Sequence, residues 1–160
     1  MHLHTNFLTW LPCGGWIAQL VDESFSNTEV DFFPIMIHAQ HAVLIVHSDA
    51  KVLARLAGKL MVSTAEVSVA TTFDAAKAVL AATPFAILIT GVRLGEYNGL
   101  HLIIRSHIDH PLTAGIVISD GPDPALEQEA AKYGAACVSV PEDEARLLLL
   151  VAEKLSTTAI

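Results

Sequence analysis

Ala42-Val43-Leu44-Ile45-Val46-His47-Ser48-Asp49, residues 42–49, is the stretch that decides the fold. Five consecutive apolar residues, three of them β-branched, make a run of strand length. A strand that is apolar on both faces must be covered on both, which is the position of a strand inside a parallel sheet. The run ends on polar residues, and Asp49 stands where its carboxylate can cap a helix. Residues 50–62 then carry Val52, Leu53, Leu56, Leu60 and Met61 at helical spacing. Strand, polar lip and helix form one unit.

The same unit returns along the chain. Glu66–Ala70 alternates like a half-buried strand, and the Ala-rich run Phe73–Ala81 reads as a helix stopped by Pro84. Phe85–Thr90 is a second buried run, and Leu100–His107 a helix that ends before Pro111. Gly115–Ser119 gives the fourth strand; Pro124 opens a helix that reaches Tyr133, with Gly134 as its stop. Ala136–Val140 is the fifth strand and Glu142–Leu155 the closing helix. Five strands alternating with five helices predict a three-layer, doubly wound (βα)5 α/β fold with a parallel sheet.

Composition limits what such a domain can do. The chain has 160 residues, 52% of them apolar and 16% charged, enough for one domain with a substantial core. The net charge is −8, with no basic cluster, which argues against a direct nucleic-acid partner. Cys13 and Cys137 form no Cys-x-x-Cys pair, so neither a disulfide framework nor a metal knuckle is expected. Residues 1–35 hold no Lys or Arg, and Pro12-Cys13-Gly14-Gly15 interrupts their apolar runs. They are read as an extension of uncertain structure, with residues 36–160 as the domain and Met36 an alternative start. No spanning helix or secretory signal is recognisable, so no membrane partner and a cytoplasmic location are expected.

In a doubly wound sheet, ligands bind beyond the carboxyl ends of the strands, where the strand order reverses. Those positions are His47, Ser48 and Asp49, then Gly91, Val92 and Arg93, then Ser119 and Asp120, and finally Val140 and Pro141. Around them the chain resembles the receiver domains of response regulators, the CheY-like, flavodoxin-like branch of two-component signalling. Val43–Asp49 is similar to that family's first strand and acidic turn, and Leu88–Leu100 to its phosphoacceptor strand and loop, including Asn98-Gly99-Leu100. Ile116–Ser119 resembles its strand ending in a hydroxyl residue, and Gly134-Ala135 its turn before the last strand. The resemblance spans residues 42–155, with steps of 44 and 28 residues between His47, Gly91 and Ser119.

The resemblance implies a phosphoacceptor carboxylate, acids that hold Mg²⁺, a hydroxyl and a lysine. This sequence departs from four of those five. The nucleophile position falls on Gly91, the acidic pair on His47 and Ser48, and the lysine on Val140 or Pro141; Ser119 alone matches. The pocket is therefore expected to be degenerate, with no catalytic residue, no metal and no cofactor. Asp49 reads as a helix cap before a remnant ligand, and His47 as a polar lip residue. His38 and His41 lack a third ligand, and His101, His107 and His110 read as a solvated rim. Asp120–Pro124 is turn chemistry, while Gly95 and Gly99 read as loop-permissive positions. Ala145–Ala152 is apolar nearly all round, with Arg146 its one charge, so the last helix has a second face to shield.

Three functions follow in order of preference. The first is a phosphorylation-independent interaction module that contacts a protein of a signalling pathway, and a homodimer through the last helices. The second is a small-molecule binder on a flavodoxin-like sheet, which the lack of a Gly-x-Gly-x-x-Gly loop disfavours. The third is a phosphoacceptor that uses Asp49 or Asp120 in place of the missing residue.

Overall fold

The computed structural model describes residues 41–62 and 66–158. The expectations for residues 1–35 and for Cys13 and His38 lie outside the described residues. Within them the expected alternation is present. The order is β1 (Ala42–Val46), α1 (Ala50–Met61), β2 (Glu66–Ala70), α2 (Phe73–Ala82), β3 (Ile87–Gly91), β4 (Arg93–Leu94), β5 (Tyr97–Asn98), α3 (Leu100–Asp109), β6 (Ala114–Ser119), α4 (Pro124–Lys132), β7 (Ala136–Ser139) and α5 (Glu144–Thr158). The main sheet has the order β2-β1-β3-β6-β7, with every pair parallel.

Side-chain alternation divides the core into two layers. Val43 and Ile45 of β1, Ile87 and Ile89 of β3, Ile116 and Ile118 of β6 and Val138 of β7 pack with Leu53, Leu56 and Leu60 of α1 and Leu147, Val151 and Leu155 of α5. Leu44, Val46, Leu88, Val117 and Cys137 point the other way, against α2, α3 and α4. Each central strand thus buries both of its faces, the requirement read from its unbroken apolar run. The edge strand β2 differs. It buries Val67 and Ala70 and leaves Val69 50% exposed.

Local chemistry fixes the ends of the helices. The Asp49 carboxylate accepts from the Lys51 N–H at 2.8 Å, and Asp123 caps α4 through the N–H groups of Ala125 and Leu126. Thr72 caps α2 through Ala75 N–H at 3.2 Å, a cap that the sequence reading did not identify. After α4, Gly134 has φ 67°, in the left-handed region where glycine carries no Cβ penalty. Glu144 opens α5 and binds Lys59 at 2.8 Å and Arg55 at 3.7 Å, tying α5 to α1.

Several boundaries differ from expectation, two of them at strands that line the crevice. The third strand spans Ile87–Gly91 instead of 85–90, because Phe85 and Ala86 lie before the ladder while still packing in the core. The last strand stops at Ser139, so Val140 and Pro141 form the connection, with a cis bond between them.

Leu56 is fully buried on α1 against the β1 layer. Leu56→Ala should lower the unfolding free energy by about 2–5 kcal/mol, measured by urea denaturation followed by circular dichroism.

Candidate functional site

The carboxyl ends of β1, β3, β6 and β7 converge where the connections from β1 and β3 diverge to opposite sides of the sheet, the crevice that doubly wound proteins use for ligands. The register pairs Val46 with Thr90, so the next residues, His47 and Gly91, stand side by side. They touch closely. A Cβ placed on Gly91 would lie 2.7 Å from His47 Cδ2 and 3.1 Å from Nε2. The imidazole edge occupies the space into which a side chain at 91 would emerge.

The imidazole is held in place. The Asp49 backbone N–H donates to His47 Nδ1 at 2.9 Å, and the His47 backbone N–H donates to the Ala70 carbonyl at 3.1 Å. Accepting at Nδ1 leaves Nε2 as the protonated nitrogen of the neutral ring. The Ser48 hydroxyl donates to the Arg93 carbonyl at 3.0 Å, which turns it toward the loop after β3. Asp49 is exposed and spent on its cap. The Lys51 N–H bond holds its carboxyl below the ordinary value against the opposing desolvation, helped by the Val52 N–H and by the nearby His47 and Lys51.

The loop after β3 is more ordered than a permissive loop. Arg93–Leu94 and Tyr97–Asn98 pair as an antiparallel hairpin around Gly95-Glu96. Gly95 has φ 66° and no described non-glycine residue has positive φ, the pattern of a II′ turn with glycine first. Tyr97 stacks on Phe73 of α2, ring centroids 4.6 Å apart, so the hairpin is tied to α2 as well as to Ser48. Gly99 needs correction. Its φ is −58°, which any residue adopts, but a Cβ there would run into the Gly91 carbonyl oxygen and lie 2.6 Å from Thr90 Oγ1. Glycine is needed at 99 for closeness, not for backbone freedom.

On the other side of the crevice, the Ser119 hydroxyl donates to the Gly121 carbonyl at 2.7 Å. Burial pushes the nearby Cys137 thiol up, with a hydrogen bond to Ser119 opposing that shift. Val140 is buried in the α1/α5 layer and Pro141 is exposed. Neither residue can offer a cation. Asp120, the residue after β6, is exposed. Of the histidines read as a rim, His101 and His107 are exposed and His107 meets Tyr133 edge-on, whereas His110 is half-buried beside α2.

Mg²⁺ takes oxygen ligands, usually carboxylates. Here the lip presents an imidazole, a hydroxyl committed to a carbonyl, a capping carboxylate and a glycine. Among the described residues, no three of His, Cys, Asp and Glu come together as a metal-holding group. The residues present do not fit Mg²⁺.

No protein-family model matches the sequence, and no curated protein matches it. Solved structures do. The chain is similar to a CheY-like response regulator receiver domain protein from Methanospirillum hungatei JF-1, with TM-score 0.69 and 22% identity over 74% of this chain and 96% of that one. It is similar to the signal receiver domain of an HD domain-containing protein from Pseudomonas fluorescens Pf-5, with TM-score 0.68 and 26% identity over 74% and 97%. It is also similar to the beryllofluoride-activated NtrC4 receiver domain dimer, with TM-score 0.67 and 20% identity over 73% and 98%. The fold is that of receiver domains.

Three substitutions test this geometry. Gly91→Ala should cost about 1–3 kcal/mol by overpacking against the ring, and most of that cost should vanish in a His47→Ala background. Gly99→Ala should cost about 3 kcal/mol or more, since backbone cannot move aside as a rotamer does. Both are read from denaturant midpoints. The Asp49 carboxyl lies lower in the folded than in the unfolded chain, so its contribution is present above the unfolded value and lost as pH falls below about 4. Asp49→Asn keeps a cap but cannot titrate, and should lose stability less steeply in that range.

Proposed function

We propose that this chain is a receiver-like module of two-component signalling that acts through protein contacts without accepting a phosphoryl group, and that it is not an enzyme. The observation that carries the reading is the His47 ring packed against Gly91 at the end of β3. An acyl phosphate needs a carboxylate there, with acids to bind a metal and a cation to meet the new charge. The positions that would supply them hold Gly91, His47, Ser48, Val140 and Pro141 instead. Asp49 and Asp120 are poor substitutes, since one caps α1 and the other, after β6, is exposed.

What is kept supports a contact role. The scaffold is intact, and its last helix leaves Leu149 in solvent beside two leucines that pack only partly on the core. Leu147, Val151 and Leu155 are buried, Leu148 and Leu150 are half-buried, and Leu149 is 71% exposed. A second copy of this chain is one natural cover for such a face, through a two-fold contact. One of the similar solved structures is itself a receiver domain dimer. A protein of the same signalling pathway is the other partner in this reading, and the acidic net charge gives no footing for nucleic acid.

Two experiments bear on this. Incubation with acetyl phosphate and Mg²⁺ should leave the intact mass unchanged, and a gain of one phosphoryl group overturns the reading. Light scattering should show an average mass that rises with concentration, and Leu149→Glu should abolish the rise. A single monomer species at all concentrations in the unsubstituted chain counts against the homodimer.

A further inference from the structure

The hydrogen bond that holds the His47 ring depends on a proton being absent. Nδ1 accepts the Asp49 backbone N–H at 2.9 Å, and an imidazole nitrogen accepts only while it carries no hydrogen. Protonation would set a second N–H against the first, donor facing donor. Histidine is the side chain whose charge ordinarily changes between about pH 5 and 8. The residue is half-buried, so water reaches it.

The surroundings give a charged ring a place to go. The Asp49 carboxylate is exposed, and it is near enough for its charge and that of the ring to act on each other. Its Oδ1 accepts from the Lys51 N–H, which leaves carboxylate lone pairs for a second donor. Lys51 of α1, Arg93 and Glu96 of the hairpin and Asp120 after β6 are all exposed. The ends of β2 and β3, Ala70 to Thr72 and Thr90 to Val92, carry no titratable side chain.

On its other side the ring alone fills the space over Gly91. The three atoms nearest to a Cβ at 91 all belong to it: Cδ2 at 2.7 Å, Nε2 at 3.1 Å and Cγ at 3.5 Å. The Gly91 carbonyl accepts from the Thr90 hydroxyl at 3.1 Å and lies against Gly99, where α3 begins. Removing the ring therefore unpacks one side of the turn from β3 to α3.

We propose that His47 is a proton-operated latch: the neutral ring stays packed on Gly91, and the protonated ring leaves it for the Asp49 carboxylate, opening the end of β3. Uptake of one proton from solvent at Nδ1 is the whole of the chemistry. The packed form is present above the titration range and is lost as pH falls through it. The lip then changes shape without any group being transferred. The latch depends on the packing of the ring, and reactivity toward acetyl phosphate leaves it untouched.

The test is a nuclear magnetic resonance titration of the ¹⁵N,¹³C-labelled full-length chain from about pH 8 to about pH 5. The His47 ring carbons and the amides of Asp49 and Gly91 should move together with one midpoint, the Asp49 proton upfield as its acceptor is lost. His47→Gln takes up no proton in this range, and should hold both amides fixed while the other histidines titrate. Gly91→Ala gives an independent reading. Its methyl competes with the packed ring but not with one that has left, so its deficit in melting temperature should shrink by about half or more across the range. The latch is ruled out if the ring titrates while the Asp49 and Gly91 amides stay put. It is equally ruled out if the ring remains neutral down to about pH 5, or if the Gly91→Ala deficit is the same at both ends.

Discussion

The constraint on which the structure depends is that a parallel strand in the middle of a sheet must bury both faces. β1 meets it by sending Val43 and Ile45 to the α1/α5 layer and Leu44 and Val46 to the α2/α3/α4 layer. β3 does the same with Ile87 and Ile89 against Leu88, and β6 with Ile116 and Ile118 against Val117. Two helical layers are then obligatory, and short crossovers bring the carboxyl ends of all the strands to one side. The location of the lip follows from burial, before any of its residues are considered.

At that lip the crowding is mutual. Gly91 has no side chain, and the His47 ring takes the space. Gly99 must be glycine for its helix start to pass against the Gly91 carbonyl. The Asp49 N–H fixes the ring, and Ser48 fixes the hairpin over it. These contacts make the glycine at 91 part of a packed arrangement and not a mere deletion. A chain that had simply lost a carboxylate would leave a hollow; here the hollow is filled by a ring with its own hydrogen bond.

The reading proposed for this chain puts the weight on its surfaces. On α5, Leu149 stands 71% exposed while Leu148 and Leu150 pack partly against the core. An apolar helix face is best covered by another extended apolar face.

The sequence by itself determined the layers. Unbroken apolar runs at Ala42–Val46 and Ile87–Ile89, helical spacing after Asp49, and Gly134 after α4 are local signals, each read within a few residues. It also determined that positions 91, 47 and 48 carry no carboxylate, because that is a matter of residue type alone. Only the tertiary structure decided that His47 packs onto Gly91, which are 44 positions apart and meet through the β1–β3 register (47 to 91). The same holds for Gly99, whose φ is ordinary and whose requirement is a neighbour's carbonyl, and for the Phe73–Tyr97 stack that orders the hairpin. Periodicity reports which way a side chain faces, whereas contact distance depends on strands and loops brought together from far along the chain.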